Sequence, residues 1–278
     1  MKYSFFPADI LLPDFSEHEA YLWAVVAFDQ FTSEPEYWEA VAGKVGNKPS
    51  TLHMILPEVY LSEQAERIPR INAAMEQCLA EVLHEHKDCM IYVRRQQSDS
   101  TIRQGIVGLI DLEEYDYHKG AETLIRATEG TVLERIPPRV EVRRNACLEM
   151  PHVMLLIDDP AHTVMPLAHS LCEQEPAYAF RLMIGGGEIC GFRIPASRCD
   201  LHMGSKLPVS HTGHVVSGFF KEQLIQSLSL GRRCRLQKVG AVPVAVVRHE
   251  GELRDHQEPA LYVLHRAVHA PVFVLENA

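Results

Sequence analysis

The sequence predicts an α+β protein made of mixed sheets with flanking helices. Short apolar runs of strand-like composition recur along the chain, one stretch carries helical spacing and another helical capping residues, and the two kinds do not alternate steadily as in a doubly wound sheet. No internal repeat or low-complexity tract interrupts this pattern. With 278 residues, one large domain or two small ones fit.

In chain order, "WAVVAFDQF" (23–31) reads as a buried strand ending in a polar turn. A helix follows, with Ser33 as N-cap, Pro35 in the first turn, Glu36 completing a capping box and Gly46 as the stop. "TLHMILPEVYL" (51–61) reads as a second strand that runs into a loop at Pro57. Residues 63–86 place Ile68, Ile71, Met75, Leu79, Val82 and Leu83 at helical spacing, which predicts a long amphipathic helix. "CMIYVRRQQ" and "RQGIVGLIDLEEY" predict a hairpin closed through "SDSTI". "PHVMLLIDDP" predicts another strand, and "AYAFRLMIGGGEICGFRI" a strand, a glycine turn and a returning strand.

Composition bounds the function. Hydrophobic residues make up 46% and charged residues 23%, enough apolar material for a sizeable core. The net charge of -10 disfavours nucleic acid as a partner, because that affinity needs clustered cations. The charge is uneven: residues 202–278 hold nine Lys/Arg against six Asp/Glu, and the first 201 hold 18 against 31. Together with weaker periodicity beyond Cys199, this places a boundary near residue 200, dividing the chain into 1–196 and 197–278. The seven cysteines form no C-x-x-C pair and are odd in number, which fits reduced thiols in a cytosol. Pro7, Asp9 and Pro13 break the N-terminus too early for a secretory signal. No apolar run approaches the roughly 20 residues that span a bilayer. A soluble cytoplasmic protein is expected, with no signal of oligomeric state.

The stretch "IRATEGTVLERIPPR" concentrates candidate chemistry. Arg126, Glu129, Glu134, Arg135 and Arg139 share it with the hydroxyls of Thr128 and Thr131. Arginine forks, hydroxyls and backbone N–H groups near a glycine make a cradle for a small anion, with Glu129 and Glu134 orienting the arginines or acting as a base. A surface helix with ion pairs, stopped by "IPPR", fits the same spacing. Asp29, Gln30 and Thr32 sit just past an apolar run, where sites often gather, although a turn with an N-cap also explains them. Gly185, Gly186 and Gly187 allow either close ligand approach or a tight turn, and match neither a dinucleotide nor a P-loop pattern. Asp158 and Asp159 suit either a divalent metal or a loop opening. The pairs His84 and His86, His211 and His214, and His265 and His269 each lack a third zinc ligand, so no metal is assigned.

Four strings resemble the bacterial family DUF 1015: "AVVAFDQFTSEPEYWEAV", "PSTLHMILPEVYL", "GLIDLEEYDYHKGAETLIRATEGTVLERIPPRVEVRRNACLEMPHVMLLIDDP" and "RLMIGGGEICG". The resemblance spans about residues 5 to 195. Such proteins continue with a D-G-x-H motif and an alanine-rich helix, similar to the ParB/sulfiredoxin-like fold, whose members include a kinase of free serine. By that analogy the resemblance implies nucleotide-dependent phosphoryl transfer to a small hydroxy amino acid such as serine, using ATP or ADP with magnesium. Asp29, Glu129 and Glu134 are then the catalytic candidates. Arg126, Thr128, Thr131, Arg135, Arg139, Gln30, Thr32 and Gly185 to Gly187 would bind the anionic substrate. A non-enzymatic metabolite-binding or ParB-like regulatory protein is the alternative.

Here "LHMGSKLPVSHTGHVVSGFF" stands where D-G-x-H belongs, so residues 197–278 read as a shortened, divergent remnant of that second domain. A deletion or compensated frame error over 197–255 accounts for this and would leave a degraded, catalytically inert member; a simple divergent paralogue is the alternative. Translating the adjacent frame of the gene decides between them: the frame-error reading expects D-G-x-H to appear there, and its absence leaves the paralogue.

Overall fold

The structure, a computed structural model, describes residues 5–26, 34–111, 115–116, 125–127, 136–150, 153–157, 161–199, 215–218, 246–248 and 269–276. Strands β1 (Phe5–Phe6) and β2 (Ala8–Pro13) lead into the short helix α1 (Ala20–Trp23), α2 (Pro35–Val45) and α3 (Gln64–Glu81). Strands β3 (Leu83–Gln96), β4 (Ile102–Asp111), β5 (Tyr115–Asp116) and β6 (Ile125–Ala127) follow, then α4 (Ile136–Arg144). Next come β7 (Leu148–Glu149), β8 (Val153–Ile157), α5 (Val164–Ser170), β9 (Tyr178–Arg181), β10 (Glu188–Pro195) and α6 (Ala196–Cys199). Strands β11 (Val215–Gly218), β12 (Val246–Arg248) and β13 (His269–Glu276) complete a mixed sheet in the order β5-β6-β11-β8-β13-β4-β3-β2-β12-β7. The architecture is α+β.

β3 is the spine of this sheet. One edge pairs with β4; the other pairs first with β2 and then with β10, which carries β9. Successive side chains of a strand point to opposite faces, so β3 feeds two cores. Cys89, Ile91 and Val93 join the larger core with Trp23, Trp38, Val41, Met54, Ile71 and Met75 from the helical layer. Met90 and Tyr92 join a smaller core with Ile106, Ile194 and the buried Val164, Met165 and Ala168 of α5.

Several expected elements take another form. Residues 24–26 are buried but are not a strand. Side chains partner several backbone groups of this segment and of Trp23: Ser50 Oγ and Thr51 Oγ1 donate to Trp23 O at 3.2 and 2.9 Å. Val25 N donates to Thr51 Oγ1 at 3.2 Å, and Tyr37 Oη donates to Val26 O at 2.9 Å. A buried segment needs its polar backbone partnered, and side chains can do what a ladder does. The expected strand at 51–61 is instead two 3-10 helices, Thr51–Met54 and Glu58–Glu63, the first capped by Ser50 accepting from Leu52 N.

α2 starts at Pro35 with Glu34 as N-cap and ends at Gly46, whose φ of 55° and N–H bond to Ala42 O close the last turn as expected. Ser33 lies outside the described residues. The long amphipathic helix is present but stops at Glu81 rather than near 86, because Leu83–Glu85 enter a ladder with Leu11, Leu12 and Pro13 of β2. "IPPR" opens α4 rather than ending a helix, in keeping with the tolerance of the first turn for proline. The hairpin of β3 with β4, the strand at 153–157, and the strand–glycine turn–strand at 178–195 form as expected.

Burial pushes the thiols of Cys78 and Cys89 up from 9.0 to about 11. The unfolded chain therefore loses these protons at lower pH than the folded one does. Their contribution to stability is complete below pH 9 and is lost as pH rises through 11. Urea titrations are expected to show stability falling across this window, with a shallower slope in the double variant Cys78→Ala, Cys89→Ala.

Candidate functional site

The end of the β3–β4 hairpin gathers two arginines on one face. Arg95 and Arg103 are cross-strand partners in register, and directly opposed residues of an antiparallel pair share a face. Arg95 follows Ile91 and Val93 on the side of the larger core and is only 5% exposed. Burial depresses its pKa to about 10, and the nearby Arg103 adds to this. Arg103 is half-buried and also lowered by burial, with Asp99 acting in the opposite sense. Two like charges facing each other across a ladder, partly removed from water, repel.

Each guanidinium is oriented by the chain. Arg95 Nε and Nη2 donate to the carbonyl of Gly186 at 3.1 and 2.8 Å. Arg103 Nε donates to Gln97 Oε1 at 2.8 Å. Gln97 belongs to the tight connection of the hairpin, where Gln97 N donates to Thr101 O and Ser100 N to Gln97 O. Tyr37 lies close enough to influence Arg95, and burial pushes its phenol well above the usual range.

The glycine run forms the turn between β9 and β10. Gly185 and Gly187 adopt positive φ of 68° and 88°. A Cβ on Gly187 would come within 2.0 Å of Gln96 O, and one on Gly186 within 2.9 Å of Val26 Cγ2. The close approach these glycines permit is therefore to β3 and to Val26, the residue that leads into segment 27–33. The glycine run, one of the motifs singled out in the sequence, thus packs against β3 and Val26, and its Gly186 carbonyl holds Arg95.

The remaining candidates stand as follows. Asp29, Gln30, Thr32, Thr128, Glu129, Thr131, Glu134 and Arg135 lie outside the described residues, as do Asp158 and Asp159. Arg126 is on β6 and Arg139 on α4. β6 pairs with β5 and β11, and strands β11, β8, β13 and β4 stand between it and β3 in the sheet order. Arg95, Arg103 and Tyr37 were not singled out by spacing. The usable signal was "RRQ" inside a strand: alternation obliges one of two adjacent arginines to face inward.

Chemically, two guanidinium forks on one face suit a carboxylate or a phosphate. Among the described residues no group of three or more His, Cys, Asp or Glu is placed to hold a metal, and no helix is long and apolar enough to cross a membrane. Residues 14–197 match the model of a family described as a protein of unknown function, DUF1015. No curated protein and no solved structure matches the chain.

Arg95→Met keeps the length of the side chain and removes both bonds to Gly186 O. Hydrogen bonds made by charged donors each contribute roughly 1.5–3 kcal/mol, while relief of the buried charge offsets part of that. A net loss of about 1–2 kcal/mol is expected by urea unfolding, with faster amide exchange at Gly186 and Gly187.

Proposed function

The chain belongs to the DUF1015 family, whose description names no activity, and from its own groups we propose that it binds a small anionic metabolite against Arg95 and Arg103. The observation that carries this is the direct opposition of a buried and a half-buried cation beside a turn that ends in three glycines. An anion placed on that face offsets the repulsion between the two forks and gains charge-assisted hydrogen bonds from both. The net charge of -10 favours a small ligand held by local cations over an extended polyanion.

The more specific reading is nucleotide-dependent phosphoryl transfer to a small hydroxy amino acid such as serine, with ATP or ADP and magnesium. Its support is the clustering of arginines and threonines at 125–139 in the sequence and a fold-level analogy with ParB/sulfiredoxin-like proteins. In this reading Arg126, Arg135 and Arg139 hold phosphate with Thr128 and Thr131, while Asp29, Glu129 or Glu134 takes the hydroxyl proton. Gln30 and Thr32 contact the substrate in the same reading. A sensor that binds the same class of metabolite without turning it over uses the same groups.

Binding to the folded state alone raises the melting temperature with ligand concentration. Inorganic phosphate, serine, and ATP or ADP with magnesium are the probes. At least one is expected to stabilise the protein saturably, and Arg103→Gln to weaken that binding tenfold or more. No saturable shift with any of them would sink the anion-binding reading. Nucleotide turnover in the presence of serine, abolished by Arg126→Ala and Arg135→Ala, is expected of the kinase. Stabilisation without turnover assigns the sensor.

A further inference from the structure

The face of the sheet opposite Arg95 carries a second basin. Because side chains alternate along β3, Arg94 faces the layer of α5 while Arg95 faces the larger core. A cavity of about 420 Å³ lies there, lined by Tyr92, Arg94, Gln104, His162, Pro166 and His169. β3 and β4 form its floor: Arg94 pairs with Gln104 in register, and Tyr92 Oη donates to Gln104 Oε1. That bond uses the amide oxygen of Gln104 and leaves its N–H groups as donors at the wall. α5 forms the other side, anchored by Val164, Met165 and Ala168. At its last turn the His169 ring lies 5.3 Å from Tyr92, tilted by 52°, and meets Phe192 edge-on at 6.2 Å. His162 at the rim holds a left-handed backbone with φ of 50°, a conformation that persists in non-glycine residues where the surroundings impose it.

From this geometry we propose that the basin is a binding site for a small organic carboxylate with a flat apolar body. Among the described residues that line it, Arg94 is the one permanently charged group and none is a carboxylate, so this lining favours an anion. The guanidinium fork and the Gln104 amide match the two oxygens of a carboxylate. Tyr92, His169 and Pro166 provide ring and ring-edge surface for the body of the ligand, which a bare inorganic anion leaves unused. The volume lies in the range of sites for small organic ligands. Tyr92 is only 2% exposed and locked between Gln104 and His169, so the floor is formed before any ligand arrives. This site does not share a side chain with the Arg95–Arg103 pair, and the two stand or fall separately.

Benzoate is the test probe, with benzamide as its neutral isostere and inorganic phosphate as the body-less anion, each titrated into the full-length protein by calorimetry and saturation-transfer NMR. Benzoate is expected to bind saturably, with benzamide and phosphate at least tenfold weaker at this site. Arg94→Gln is expected to weaken benzoate at least tenfold, and Arg103→Gln to leave it unchanged. Equal binding of benzoate and benzamide, no benzoate binding to the wild-type protein, or binding indifferent to Arg94→Gln each overturns the proposal. Should Arg94→Gln fail to fold, the comparison of benzoate with benzamide on the wild-type protein decides. Retained benzoate binding in Arg103→Gln alongside lost phosphate binding separates this site from the one across the sheet.

Discussion

The two-residue period of strand β3 is the constraint on which the rest of the structure depends. A 14-residue strand paired on both edges cannot rotate its side chains out of that alternation without breaking its ladders. Cys89, Ile91 and Val93 are therefore committed to one core, Met90 and Tyr92 to the other, and the adjacent Arg94 and Arg95 are driven apart. A slip of one residue would exchange the arginines and turn every apolar residue to the wrong face. Register thus locks the cationic groups to opposite sides, each with different neighbours.

Satisfying buried backbone is the second organising demand. Residues 23–26 pass through the larger core without a strand partner, and Ser50, Thr51 and Tyr37 supply the missing hydrogen bonds. Arg95 does the same for the glycine turn through Gly186 O. These contacts converge where β3, β10 and the end of residue 26 meet, so the groups that hold the fold together also shape the candidate anion site. The ion pair of Arg143 Nε with Glu149 Oε1, at 2.7 Å, similarly fastens the end of α4 to β7 within the protein. Exposed pairs such as Arg70 with Glu66 add little by comparison.

Much of the organisation was legible in the chain. Capping and stop residues marked α2 and helical spacing marked α3, with Tyr37, Trp38, Val41 and Val45 buried on one and Ile71, Met75 and Cys78 on the other. The β3–β4 hairpin and the glycine turn followed from apolar runs bounded by turn residues. The errors share a feature: "AVV" and "TLHMIL" have strand composition, yet among the described residues neither enters a ladder, and side-chain hydrogen bonds, some between the two segments, partner their backbones. His84 to His86 followed helical spacing but met β2, and a long-range ladder outweighed local propensity.

By itself the sequence determined the α+β class, the acidic surface, the family and the places where strands turn, because these depend on composition and on contacts near in the chain. Only the tertiary structure decided that Arg95 would stand opposite Arg103 beside Gly186, and that Arg94 would share a basin with His162 and His169. These groups lie far apart in the chain or differ only in the side of the sheet they face. Which face is buried, and what packs on it, is set by long-range register, and no local pattern encodes that.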